Sequence, residues 1–312
     1  MNDKLIYAAP LQGYTDVAWR LAHAGIYGGV DAYFTPFIRV EKGRVRQRDL
    51  NNAIQNMPSG IPVIPQIIFG SRDEFIILAD TLIDAGATHI NLNLGCPFPP
   101  QVKHGRGAGA LRSTLIEEIA SIIITRYSFA VFSAKLRLGI NSSDEWRPIL
   151  NILNTIPLDH ITLHPRIAAQ QYGGECNNEM FDEFLASTSH RVVYNGDIRS
   201  VSDIARIGSV HNNSVDVMVG RGLLSRPSLA LEYRSNKEWG HDKRVSGLRK
   251  FHEEIYSTYM TVLCGDHQIL QKIKPMWDWL EDEIGHKAWK AIHKATTLRK
   301  YESAVADALS LI

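Results

Sequence analysis

Residues 63–94 of the 312-residue chain read VIPQIIFGSRDEFIILADTLIDAGATHINLNL and hold one complete strand–helix–strand unit. Val63 to Ile68 is a short apolar run of strand length. Arg72 to Asp84 places apolar residues at 75, 76, 78, 79, 82 and 83, which is one face of a helix. His89 to Leu94 is a strand again. The same alternation extends in both directions. Upstream lie a strand at Lys4 to Ala9, a helix at Asp16 to Ala24 and a strand at Ala32 to Thr35. Downstream come a helix at Leu111 to Thr125, a strand at Val131 to Leu138 and a helix at Asp144 to Asn154. Strands at His160 to His164, Val192 to Tyr194 and Asp216 to Val219 follow, with a helix from Val201 between the last two. Strand-then-helix repetition implies right-handed crossovers and a parallel sheet. About eight such strands in residues 1–235 suit a closed α/β barrel, the (β/α)8 TIM barrel. From residue 236 to 312 strand signals stop. Residues 247–262, 267–284 and 286–309 read as helices with apolar stripes such as Ile273, Trp277 and Leu280, so a C-terminal all-helical domain is expected. Ser235 to Gly247 is polar and reads as a linker.

Composition bounds the function without naming it. Hydrophobic residues make up 45% and charged residues 21%, values of a folded globular chain rather than a disordered one. Cys96, Cys176 and Cys264 form no C-x-x-C pair and no disulfide framework, which points to a reducing cytoplasm. The opening MNDKLIYAAPLQG lacks a basic region followed by an apolar run, so no signal peptide is expected, and no window is apolar enough for a membrane helix. The twelve histidines show no H-E-x-x-H or similar cluster, so no metal is expected. With 34 basic and 33 acidic residues the net charge is +1, and any nucleic-acid surface must be local.

Barrels of this kind work at the C-terminal ends of their strands. Those ends here carry Ala9-Pro10-Leu11-Gln12-Gly13, Gln66, Asn93-Leu94-Gly95-Cys96-Pro97, Lys135 with Arg137, His164-Pro165-Arg166, Asn195-Gly196-Asp197 and Gly220-Arg221-Gly222. Each has a plain structural reading. Gln66 suits a cap, His164 a satisfied core histidine, and Asn195-Gly196-Asp197 a turn. Lys135 resists that treatment, because a buried strand should be nearly all apolar and an unpaired buried ammonium is costly. It calls for an anionic partner such as a cofactor. Gly220-Arg221-Gly222 at a helix start suits a phosphate. Cys96 lies between Gly95 and Pro97, in a loop that runs on to Gly105-Arg-Gly-Ala-Gly-Ala, so it reads as an acid or a nucleophile rather than a small buried hydrophobe.

Taken in order, these segments resemble the tRNA-dihydrouridine synthases. Asn93-Leu-Gly-Cys-Pro97 and the glycine loop match the family's signature, and Ala9-Pro10 with Gly13-Tyr-Thr-Asp16 and Arg20 matches its first βα loop. Lys135-Leu-Arg-Leu-Gly139, His164-x-Arg166, Gln171-Tyr172-x-Gly174, Asn195-Gly-Asp197 and Gly220-Arg-Gly222 follow in family order. Three features depart from the pattern: Leu11 in place of Met, Pro165 and Ile167 in place of Gly and Thr, and no Trp after the Tyr-x-Gly segment. The resemblance implies FMN as cofactor, NADPH as reductant, hydride delivery to uracil carbon 6, and Cys96 as the proton donor to carbon 5. It further implies FMN contacts at Pro10, Leu11, Gln12, Gln66, Lys135, His164, Asn195, Gly196, Asp197, Gly220 and Arg221. Asn93 would meet a flipped uracil, with Arg166 and Tyr172 also facing the tRNA. Phe37-Ile-Arg-Val40 looks like the bacterial subgroup acting at D-loop position 16.

Two basic stretches are candidates for the tRNA surface. Residues 286–300, HKAWKAIHKATTLRK, contain no acid, and Lys287, Lys290 and Lys294 fall on one helix face. Lys272 and Lys274 lie upstream, and Arg39 to Arg48 holds five cations against one acid, Glu41. For any single Lys a solvated face is the plainer reading. A monomer is expected. Two other readings stay open: an FMN barrel acting on a small molecule, like dihydroorotate dehydrogenase or old yellow enzyme, and a non-redox barrel that binds RNA or a phosphate metabolite.

Overall fold

The computed structural model describes residues 4–58 and 60–310. In chain order the elements are β1 (Ile6–Ala8), α1 (Val17–Ile26), β2 (Ala32–Phe34), β3 (Val40–Glu41), β4 (Arg44–Val45), α2 (Gln47–Ile54), β5 (Val63–Ile64), β6 (Gln66–Ile67) and α3 (Arg72–Asp84). They continue with β7 (His89–Leu94), α4 (Pro99–Lys103), α5 (Ser113–Arg126), β8 (Val131–Gly139), α6 (Trp146–Leu153), β9 (Leu158–Ile167), α7 (Asn178–Ala186), β10 (Val192–Tyr194), α8 (Val201–Val210), β11 (Asp216–Val219), α9 (Arg221–Ser225) and α10 (Leu229–Ser235). The helices α11 (His241–Val262), α12 (Asp266–Ile273), α13 (Glu281–Ile284), α14 (His286–Lys294) and α15 (Leu298–Leu309) complete the chain.

The main sheet runs β5-β2-β1-β11-β10-β9-β8-β7-β6, and among the described residues its pairings are all parallel. Its two edges, β5 and β6, are halves of one strand broken at Pro65, so the sheet closes on itself. Proline has no N–H to give the ladder. Its carbonyl still accepts from the Asn91 N–H at 2.9 Å. The strand expected at Val63 to Ile68 therefore serves one neighbour before the proline and the other after it. The result is an eight-stranded α/β barrel, as its alternation predicted, with an added helical region.

Local signals place the outer helices. Asp16 caps α1 by accepting from the Trp19 N–H, Ser71 caps α3 and Ser200 with Asp203 forms a capping box on α8. Helix α3 spans the expected residues. Helix α7 and the β3/β4 hairpin were not legible beforehand, and β9 extends well past the expected His160 to His164.

The helical region corrects three expectations. The polar segment Ser235 to Gly247 is not all linker, since α11 starts at His241. The expected helix 267–284 is broken: α12 gives way to a 3-10 turn over Lys274–Trp277, because Pro275 cannot continue the ladder, and Gly285 ends α13 with φ +80°. The expected helix 286–309 pauses at Ala295, and Thr297 caps α15 anew. Trp277, fully buried, donates to the Tyr301 hydroxyl at 2.9 Å, and Tyr301 also meets His252 at 2.8 Å. Barrel and helical region share one hydrophobic core through α1 and α11, where Trp19 and His23 face Phe251.

Candidate active site

Strand register builds the site. Asn93 on β7 lies opposite Lys135 on β8, and Arg137 lies opposite His164 on β9. These four side chains line a cavity of about 910 Å³, open mouth included, at the C-terminal ends of the strands. Pro10, Leu11, Gln12, Gln66, Cys96, Tyr172, Asn195, Gly196, Asp197, Gly220 and Arg221 line it too. Every residue expected at a cofactor thus reaches one mouth, together with Cys96, Asn93 and Tyr172.

The floor is a relay of amides. Asn93 donates to Gln66 Oε1 at 2.8 Å, Gln66 donates to Asn91 Oδ1 at 2.7 Å, and Asn91 donates to Ser133 Oγ at 2.8 Å. Asn93 Oδ1 accepts the N–H groups of Cys96 at 2.9 Å and Gly95 at 3.2 Å. Asn93 therefore aims the cysteine loop while keeping one amide proton for a ligand. Two glycines permit that loop to pack. A Cβ on Gly107, whose φ is +59°, would sit 2.7 Å from Cys96 Cβ, and one on Gly95 would meet the Leu136 backbone at 3.0 Å. Burial pushes the Cys96 thiol up, outweighing the Phe98 N–H and the nearby Arg137 and Lys135, which pull the other way. At neutral pH the sulfur keeps its proton.

The walls are cationic. Lys135 has no hydrogen-bond or ion-pair partner among the described residues. Desolvation first, and then Arg137, bring its pKa down to about 7. Arg137 is 2% exposed, donates to the Ile167 carbonyl at 3.2 Å and lies against the Tyr172 ring. Burial and four surrounding cations hold His164 well below the usual imidazole range. Its Nε2 accepts from Arg166 at 3.1 Å, so its remaining proton sits on Nδ1, which has no partner among the described residues. Among the described residues the only carboxylate lining the cavity is Asp197, in a left-handed conformation at φ +45° and paired with both Arg166 and Arg221. Arg221 is further held between the Tyr172 ring at 4.6 Å and the Trp279 ring at 5.8 Å. The cavity therefore offers many donors and almost no free acceptor, which suits an electron-rich, anionic, planar ligand with a phosphate.

Several expected tRNA residues are engaged otherwise. Arg166, 2% exposed, gives its N–H groups to Asp197, His164 and the carbonyls of Gly173 and Gly174. It fixes the loop bearing Tyr172 rather than facing outward. Lys274 donates to the carbonyls of His293 and Ala295, closing the end of α14. Lys272 pairs with Asp16 at 3.1 Å, and Arg39 and Arg46 both pair with Glu41. Lys287, Lys290 and Lys294 remain exposed on one face of α14, without ion pairs among the described residues. The sequence places Arg137 at the mouth beside Lys135, two residues on and so on the same strand face, but assigns it no contact of its own. Sequence reasoning passed over Trp279, which only the packing of the helical region brings to Arg221.

The profile of the dihydrouridine synthase family matches residues 7–310. The chain belongs to that family. Similar dihydrouridine synthases include the tRNA-dihydrouridine(16) synthase of Cupriavidus necator, 28% identical over 275 residues that cover 81% of this chain and 84% of the relative. The enzyme of the same name from Neisseria meningitidis serogroup B is 26% identical over 291 residues, 89% of this chain and 86% of its own. A probable tRNA-dihydrouridine synthase of Helicobacter pylori is 26% identical over 239 residues, 75% of this chain and 71% of its own. Among solved structures, histamine dehydrogenase from Rhizobium sp. 4-9 aligns with a TM-score of 0.53 at 15% identity over 79% of this chain, which spans 48% of that longer one. TcOYE with pHBA aligns with a TM-score of 0.52 at 10% identity, covering 75% of this chain and 90% of that one. At such identities the likeness speaks to the barrel alone. Among the described residues no helix is long and apolar enough to cross a membrane.

Proposed function

We propose that this dihydrouridine synthase reduces uridine in tRNA to 5,6-dihydrouridine, with FMN as resident cofactor, NADPH as reductant and Cys96 as proton donor. The observation that carries this reading is the donor-lined cavity with a protonated thiol at its edge. Bound FMN would supply the hydride. Lys135 and the Nδ1–H of His164 would offset negative charge on the flavin ring, and Gln66 would hydrogen-bond it. Pro10, Leu11 and Gln12 would line one side of the ring and Asn195 its neighbourhood. The amides of Gly196 and Gly220, with Arg221 oriented by Asp197, would hold the phosphate.

On the substrate side, Asn93 would meet the uracil with its remaining amide proton, and Tyr172 would close over the mouth. As carbon 6 gains hydride, the developing charge at carbon 5 takes the Cys96 proton, leaving a thiolate beside Lys135 and Arg137. A positioned general acid of this kind is worth roughly 10²–10⁴ in rate. Residues 236–312 are proposed as the tRNA-binding domain, with Lys287, Lys290 and Lys294 toward phosphates and Lys272 and Arg39 available once their carboxylate partners yield. Position 16 of the D-loop is the target suggested by Phe37–Val40 and by the names of the relatives from Cupriavidus and Neisseria. A cytoplasmic location fits three unpaired cysteines, and the chain is proposed to act as a monomer.

The test is direct. Purified protein is expected to be yellow, to carry one FMN per chain, and to convert unmodified tRNA with NADPH at a uridine located by mass mapping. Protein without flavin absorbance that reduces no tRNA overturns the reading. Flavin with turnover of small enones but never of tRNA supports the small-molecule alternative.

A further inference from the structure

The loop after Cys96 continues Pro97-Phe98-Pro99-Pro100, and its aromatic side chain points to solvent: Phe98 is 58% exposed. Leaving more than half of a phenylalanine side chain in water forgoes much of the stabilisation its burial would give. Single exposed apolar residues are common and need no explanation. This one differs in rigidity, location and company.

Its backbone is held from three sides. Pro99 restricts the residue before it to extended geometry, and Phe98 has φ −62° and ψ 118°. Its N–H lies against the Cys96 sulfur, and its carbonyl accepts from Gln101 at 2.8 Å and Val102 at 3.1 Å at the start of α4. Cys96 and Pro97 line the cavity, so the ring stands at the rim, two residues from the thiol. The same short helix then presents Lys103 and His104, both exposed and without ion pairs among the described residues. Arg106, beyond them, is tied to Glu74 and keeps the loop anchored to the barrel.

We propose that Phe98 is a stacking platform for the RNA base next to the uridine that enters the cavity, with Lys103 neutralising the adjoining phosphate. The inference rests on the tRNA reading above and adds a contact outside the pocket. A base drawn into the barrel leaves its neighbours without a stacking partner on one side. A rigid exposed ring beside the entry replaces that partner at little cost in conformational freedom. Such stacking is tolerant of base identity and is worth roughly 1–3 kcal/mol per base. The cavity itself has no role for Phe98, which does not line it.

The experiment is equilibrium binding of unmodified tRNA to flavin-loaded protein at fixed salt, with single-turnover reduction measured in parallel. Phe98→Ala is expected to weaken binding roughly 5- to 150-fold, the fold-change equivalent of one stacked base. Phe98→Trp should restore it, and Phe98→Leu should not. FMN content, NADPH oxidation and thermal midpoint should match the parent in all three, and the slope of affinity against salt should not change. Lys103→Ala should lower that slope instead. Unchanged tRNA affinity in Phe98→Ala, or full restoration by Leu, overturns the stacking role. Binding by the parent without any reduction of tRNA would count against the proposed function and leave the stacking result standing on its own.

Discussion

The barrel mouth and the face of α14 are both cationic, but they hold their charges in opposite ways. At the mouth, Arg137 and Arg166 are each 2% exposed, Lys135 has a lowered pKa, and Arg221 is clamped by Asp197 and two aromatic rings. On α14, Lys287, Lys290 and Lys294 project into water beside a buried Ile292. Charges in a low-dielectric cavity interact strongly and escape screening, whereas exposed ones are weak singly and fade with salt. The mouth therefore suits chemistry on one small ring, and α14 is the face proposed to grip a polyanion diffusely.

Loss of the proposed proton donor should be the largest effect at the mouth. Cys96→Ala is expected to slow tRNA reduction about 10²–10⁴-fold while leaving NADPH oxidation nearly intact, as stopped-flow of each half-reaction will show. Wild-type tRNA kinetics in that variant would make Cys96 structural. Cys264→Ser, on an exposed thiol, serves as the control.

Next comes Arg221. One charge-assisted contact is worth about 1.5–3 kcal/mol, so Arg221→Ala should weaken FMN binding roughly 10- to 150-fold by fluorescence titration. Equal FMN affinity would remove the phosphate assignment.

The α14 face should respond differently. Reversing Lys287, Lys290 and Lys294 to Glu is expected to raise KM for tRNA roughly tenfold at low salt and to flatten its salt dependence, with FMN content untouched. The same kinetics at low and moderate salt would exclude this helix from the tRNA interface.

The effect with the smallest bearing on turnover concerns stability and pH. Lys135 titrates at about 7 in the fold and near its ordinary 10.5 when unfolded. The unfolded chain then binds more protons between those values, so stability of the flavin-free protein should rise as pH goes from 7 toward 10. Below pH 7 the full penalty of burying the ammonium is present. Lys135→Met should lack that rise and be the more stable of the two at low pH, by up to roughly 5 kcal/mol in urea unfolding, about 1.4 kcal/mol for each pH unit between 7 and 10.5. Parallel pH profiles for both proteins would contradict a depressed Lys135.

Patterns within single segments suffice for the barrel and for the contents of its mouth. Period-two and helical spacing are local properties, and the rule that strands deliver their C-terminal ends to one rim then gathers Gln66, Asn93, Cys96, Lys135, His164 and Gly220 without any knowledge of contacts. Which cations stay free depends instead on how distant segments pack. Arg39, Arg166, Lys272 and Lys274 look alike in sequence to Lys287 and Lys290. Yet the first four have partners at Glu41, Asp197, Asp16 and the end of α14. All of those partners except Glu41 lie far along the chain. Pairing across such separations depends on packing, and no residue pattern within one segment encodes it. The same holds for Trp279, which meets Arg221 only because the helical region folds back over the barrel, and for the split at Pro65, whose two halves serve different neighbours because the sheet closes.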